Sequence, residues 1–97
     1  MVHCIAEDKK LIFKFEGRLD TTNCLTLKKE IWEKVGGFDG CVVFDLERVD
    51  YVASSFLRLC LETCKEVGAG QFLLDRVAPE IKKVFKIAGF DIEMSIQ

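Results

Sequence analysis

Ninety-seven residues, 49% hydrophobic and 31% charged, fit one small globular domain and exclude an extended disordered chain. Fourteen Lys and Arg against sixteen Asp and Glu leave a net charge of −2, which excludes the basic footprint of a nucleic-acid binder. No apolar run is long enough to span a bilayer and Met1-Val2-His3-Cys4 opens no secretion signal, so a complete, cytoplasmic domain over residues 1–97 is expected.

Two apolar-rich runs, Val2–Ala6 and Leu11–Phe15, flank Glu7-Asp8-Lys9-Lys10 and predict a hairpin. Gly17 interrupts the second run, and Arg18-Leu19-Asp20 leads out of it. Thr21 or Thr22 then caps a helix over Asn23–Val35, with Gly36-Gly37 as its stop. Cys24, Leu27, Ile31 and Val35 recur at the helical period and form its inward face. Leu25 and Trp32 make a second apolar line, which either packs on the first hairpin or joins an exposed partner-binding patch.

Cys41–Leu46 is a near-continuous apolar strand of the kind buried on both faces of a sheet. A short polar loop should follow it, then a helix over Ser55–Val67 with Leu57, Cys60, Leu61, Cys64 and Val67 as the core stripe. Gly68 and Gly70 end that helix, and Gln71–Leu74 is another strand. Pro79 suits a first helical position, and Ile81, Val84, Phe85 and Ala88 give that helix an inward face. Gly89 closes it, and Phe90–Ile96 is the candidate for a fifth, edge strand. The order ββαβαβαβ predicts a single α/β domain: a mixed sheet of four or five strands with helices packed against it.

Five scattered cysteines in a chain without a secretion signal read as reduced core residues. Cys60 and Cys64 share a helical face, but a metal needs two more ligands and His3 is the only histidine. Asp20, Asp45, Glu47 and Asp50 gather near strand ends and read as caps and loop stabilisers. No nucleophile or base stands at a matching loop position, so an enzyme is not expected and no metal or cofactor is implied. Lys82, Lys83 and Lys86 read as a solvated face.

The stretch Asp50-Tyr51-Val52-Ala53-Ser54-Ser55-Phe56-Leu57 carries the functional question. Two serines at a helix threshold place hydroxyls over unpaired N–H groups, where the dipole favours negative charge. Such a site caps a helix, binds an anion or carries a phosphate. Arg58, four residues after Ser54, either reaches back to a phosphate there or pairs with Asp50 or Glu62. Phe56 and Leu59 fall between the core stripe and the polar face, and read as an exposed partner-binding patch; the alternative is that Phe56 tucks under the preceding loop.

These residues in this order resemble the STAS domain of bacterial anti-sigma factor antagonists over nearly the whole chain. Gly17-Arg18-Leu19-Asp20 is similar to the family's Gly-x-Leu-Asp, and Cys41–Leu46 to its central strand. Ala53-Ser54-Ser55-Phe56-Leu57-Arg58 stands at the family's Asp-Ser-Ser-Gly-Leu-Gly. Val77-Ala78-Pro79, Val84-Phe85 and Ala88-Gly89-Phe90 are similar to its third helix and exit. The resemblance implies a protein-binding module that sequesters an anti-sigma factor with serine kinase activity, phosphorylated at Ser54 rather than Ser55. Ala53, Phe56 and Arg58 depart from the pattern, so a constitutive STAS adaptor, docking on a signalling complex or transporter ATPase, stands as the alternative. Under either reading the partner surface would join Asp20, Thr21, Thr22 and Asn23 to Ala53, Ser54, Ser55, Phe56 and Leu59.

Overall fold

The computed structural model describes residues 2–90 and 94–97. Its elements are β1 (Val2–Glu7), β2 (Lys10–Leu19), α1 (Thr21–Val35), β3 (Cys41–Val52), α2 (Ser54–Val67), a 3₁₀ turn (Ala69–Gln71), β4 (Phe72–Asp75), α3 (Pro79–Ile87) and β5 (Ser95–Ile96). The strands lie in the order β1-β2-β3-β4-β5, with β1 and β2 antiparallel and every later pair parallel. Parallel neighbours need crossover connections, and α1, α2 and α3 supply them in turn. The mixed α/β architecture is the one the alternating pattern predicts.

Period-2 alternation sorts the sheet residues into two sets. Leu11, Phe13, Phe15, Val42, Phe44, Leu46, Phe72 and Leu74 join one buried cluster with Cys24, Leu27 and Ile31 of α1, Phe56 and Cys60 of α2, and Ile81 and Phe85 of α3. All three helices therefore cover the same face. Phe44, on the central strand, is the hub of that cluster. Its ring centroid lies 5.7 Å from Phe13, 4.9 Å from Phe15 and 4.9 Å from Phe72, each edge-to-face. Such pairs add roughly 0.5–1.5 kcal/mol each beyond simple burial.

Several elements extend past their predicted ends. β3 does not stop at Leu46; Glu47–Val52 continue the strand, paired with β2 alone. Its exposed Glu47, Arg48, Asp50 and Tyr51 made this stretch look like a loop, but Val49 and Val52 are buried. Nor does Gly17 break β2. Its φ of +84° accommodates one of two register shifts, and the ladder resumes with Arg18 opposite Tyr51 and Leu19 opposite Val52. The Arg18 guanidinium stacks 4.1 Å above the Tyr51 ring.

α1 begins at Thr21, so its cap is Asp20, not Thr21 or Thr22; the Asp20 carboxylate accepts the Asn23 N–H at 2.9 Å. On α3, Ile81 and Phe85 are buried while Val84 and Ala88 are exposed, a narrower inward face than predicted. Leu25 is 75% exposed rather than packed on the hairpin, whereas Trp32 does lie against the core. The expected last strand is represented by Ser95–Ile96, parallel to β4; positions 91–93 of that prediction lie outside the described residues.

The loop between α1 and β3 crosses the β1–β2 turn closely. The Cys41 N–H donates to the Lys9 carbonyl at 2.9 Å, and a Cβ on Gly40 would overlap that same carbonyl. Gly37 also has positive φ, +77°, but faces open space. Gly40→Ala should therefore lower the urea-unfolding free energy by about 2 kcal/mol or more. Gly37→Ala should cost only ~1 kcal/mol. Equal losses would contradict the close approach.

Candidate functional site

β2 and β3 end together. Leu19 and Val52 are register partners, and each is followed within two residues by the N-terminus of a helix. The parallel pairing thus brings Asp20–Asn23 and Ala53–Ser55 to one edge, at the carboxyl ends of the strands. Two bonds knit them together, and a third braces the first segment internally. The Ala53 N–H donates to the Leu19 carbonyl at 2.9 Å. The Ser55 hydroxyl donates to the Thr21 hydroxyl at 3.4 Å, and the Asn23 side-chain amide to the Arg18 carbonyl at 2.9 Å. Thr21, Thr22, Asn23 and Ser54 are exposed; Asp20, Ala53 and Ser55 are half-buried.

The two helix starts differ in electrostatics. Asp20 closes α1 with its carboxylate, but the N-cap of α2 is Ala53, in extended backbone and with no side chain to accept a hydrogen bond. Ser54 is therefore the first residue of α2 and not its cap, contrary to the position inferred from sequence. The Ala53 carbonyl takes the N–H groups of Phe56 (2.9 Å) and Leu57 (3.2 Å). The amides of Ser54 and Ser55 precede these first intrahelical bonds, at the positive end of the dipole.

Phe56 and Leu59 are not on the surface. Their exposures are 0% and 2%, and Phe56 lies 5.2 Å from Phe15 and 6.1 Å from Phe44, in the core rather than under the loop. α2 is rotated from the predicted stripe: Phe56, Leu59, Cys60, Thr63 and Cys64 are buried with Leu57, while Leu61 and Val67 sit at the flank. The misleading residue is Thr63. It looks polar, yet it is fully buried, its hydroxyl satisfied by the Leu59 carbonyl at 2.8 Å. Treating position 63 as core would have turned the helix correctly.

Arg58 is exposed and, among the described residues, forms no ion pair; Glu62, one of its expected partners, binds Lys28 at 3.3 Å. Under the edge lie thiols. Burial pushes Cys24 up from its ordinary pKa, opposed by a hydrogen bond with the Ser55 side chain and reinforced by the Asp20 charge. Burial, then the neighbouring Cys24 and Cys64, push Cys60 up much further. Both behave as neutral packing groups.

One constellation escaped the sequence reading. Asp45 is not a strand-end carboxylate; it is mid-strand, 4% exposed, on the face of the sheet opposite the helices. It accepts the Glu47 N–H at 3.1 Å and forms an ion pair with Arg76, which also holds Glu47 at 3.2 Å. Arg76 itself has a φ of +53°, with its N–H donated to the Asp75 carboxylate at 3.0 Å. The available signal was a lone aspartate inside an apolar strand, which demands a partner cation.

The family model of the STAS domain matches residues 4–97. A protein of Bordetella bronchiseptica named as an anti-sigma factor antagonist, BtrV, is 33% identical over 85 residues, covering 86% of this chain and 73% of its own. Two solved structures show the same fold. The anti-sigma factor antagonist SpoIIAA in its unphosphorylated form has a TM-score of 0.83 and 19% identity, over 100% of this chain and 88% of that one. The Bacillus cell fate determinant SpoIIAA in the phosphorylated form has a TM-score of 0.73 and 19% identity, over 100% and 91%. The chain belongs to the STAS domain family.

The uncapped start of α2 makes a direct prediction. Ala53→Asp should raise the unfolding free energy by about 1 kcal/mol, because the new carboxylate can accept an N–H of the first turn. Thermal melts at neutral pH and low salt measure it, and an unchanged midpoint would mean those amides are already satisfied.

Proposed function

We propose that this STAS domain works as an anti-sigma factor antagonist: a cytoplasmic, non-enzymatic module that sequesters an anti-sigma factor. The contact surface is the edge formed by Asp20, Thr21, Thr22 and Asn23 with Ala53, Ser54 and Ser55, and phosphorylation of Ser54 by a partner with serine kinase activity releases the complex. Phe56 and Leu59 have no place in that surface, since both are core residues.

The observation that carries this reading is the setting of Ser54. It is exposed, in the first turn of a helix without a side-chain cap, on an edge where two helix N-termini meet. A phosphate there adds roughly −1.5 to −2 charges, which the dipole of the unbound protein tolerates. Closing a partner over the same charge would require burying it, and that penalty separates the complex. Ser55 is the poorer acceptor: it is half-buried and its hydroxyl is engaged with Thr21. Support from relatives is of two kinds, the name of the Bordetella protein and the existence of SpoIIAA in phosphorylated and unphosphorylated forms.

Ala53 favours a second reading. It removes the acidic neighbour that the family places before the acceptor, and a domain that had lost its switch would be a constitutive adaptor docking through the same edge. The two readings separate on incubation with a serine-kinase anti-sigma factor and ATP, followed by intact mass and peptide mapping. The switch predicts one added phosphate on Ser54, none on Ser54→Ala, and at least tenfold weaker binding after modification. Ser54→Asp should weaken binding less than the phosphate does, having one charge and fewer acceptor oxygens. Label on Ser55 would overturn the assignment, and binding without any label would establish the adaptor.

A further inference from the structure

Ser54 and Arg58 stand four residues apart on α2, and both are exposed. On an α-helix that spacing puts two side chains on one face, with Cβ atoms about 5–6 Å apart. Long helical side chains lean back toward the helix N-terminus, so the preferred direction of Arg58 is toward Ser54. Ser55 lies three residues before Arg58, but its hydroxyl is donated to Thr21 of α1.

Arg58 is also uncommitted. Glu62, one turn further along α2, binds Lys28 of α1 at 3.3 Å, and no ion pair joins Arg58 to Asp50 of β3 among the described residues. The other charged groups at this end of the domain are engaged: Asp20 of α1 accepts the Asn23 N–H, and Arg18 of β2 stacks on Tyr51. α2 itself starts with no side-chain cap and no acidic residue in its first turn. A cation so near a helix N-terminus is disfavoured by the dipole while nothing anionic stands beside it.

We infer that Arg58 is the built-in counter-charge for a phosphate on Ser54. The inference rests on the proposed switch and adds to it the residue that receives the phosphate. An anion nearer the N-terminus with a cation four residues later is the favourable order for a helical ion pair. The phosphate offers three acceptor oxygens, and the guanidinium fork can engage two of them at once. Modification thereby turns a side chain that opposes the helix dipole into one that is paired.

Charge sets the consequence. A phosphate brings roughly −1.5 to −2 charges and Arg58 returns one positive charge, so the modified helix start keeps a net negative charge. An exposed pair of this kind contributes modestly. Arg58 therefore tunes the phosphorylated, unbound domain, while the penalty of burying the remaining charge still separates the complex.

The test uses the full chain with phosphoserine installed at position 54 during synthesis, so that no kinase is involved. Phosphorus NMR then follows the second ionisation of the phosphate, ordinarily near pH 6. A neighbouring cation favours the dianion and lowers that pKa. With Arg58 in place the phosphate should titrate about half a pH unit below the Arg58→Ala protein, the effect of opposite charges ~5 Å apart at a hydrated surface. The difference should shrink with added salt. Arg58→Lys should keep most of it by keeping the charge, and Arg58→Glu should reverse its sign. Without phosphate, Arg58→Ala should leave the thermal midpoint within about 2 °C, since the side chain is exposed and unpaired. Equal titrations with and without Arg58, or an Arg58→Lys protein that titrates like Arg58→Ala, would overturn the pairing. Whether a kinase labels Ser54 is read in the separate labelling experiment, so failure of the pairing and failure of the switch are distinct results.

Discussion

Everything at the candidate edge depends on the parallel pairing of β2 with β3, and that pairing is held from the inside by aromatic contact. Phe44 of β3 meets Phe13 and Phe15 of β2, while Phe15 also meets Phe56 of α2. The ladder then continues past the point where β4 ends, to Leu19 and Val52. Because both strands stop on the same level, both following helices start on it, and the hydroxyls of Thr21 and Ser55 come within reach of each other. A slip of the ladder by one residue would turn Phe13 and Phe15 away from the helices and separate the two helix starts.

The amino-acid pattern revealed the architecture because each local signal agreed with the global one. Cys41–Leu46 was recognisable as a central strand by its unbroken apolar run, and Pro79 and Gly89 bracketed α3 by their backbone preferences. Boundaries failed where polar residues are structural. Glu47–Asp50 looked like loop because strand residues on an exposed rim need no apolar side chain. The orientation of α2 failed at Thr63, whose burial depends on a hydrogen bond that composition does not encode. The juxtaposition of Asp20–Asn23 with Ala53–Ser55 was legible from crossover topology alone, while the burial of Phe56 and Leu59 was not. The Asp45–Arg76 pair joins positions thirty-one residues apart and follows only from the fold.

The departures at the serine motif change different things. Phe56 adds a core residue, so the larger side chain strengthens the packing beneath the edge instead of covering it. Ala53 changes the electrostatics of the helix start without altering its backbone, which keeps the extended conformation a cap requires. Arg58 places a cation on the exposed side of the first turns of α2. The sum is a helix start with less negative charge than the motif with aspartate would give, on an unchanged scaffold.

Phe56 has a kinetic meaning as well. Helix ends ordinarily fray, and their amides exchange with solvent through small local openings. Here a ring two residues after Ser54 is sealed among Phe15 and Phe44, so lifting the first turn of α2 means extracting an aromatic side chain from the centre of the domain. The turn that displays Ser54 is tied to the aromatic core of the domain. Under the proposed switch, a kinase would meet a rigid relief of two helix starts at that hydroxyl, not a pliable peptide, and would have to recognise its substrate by shape before it reads any side chain.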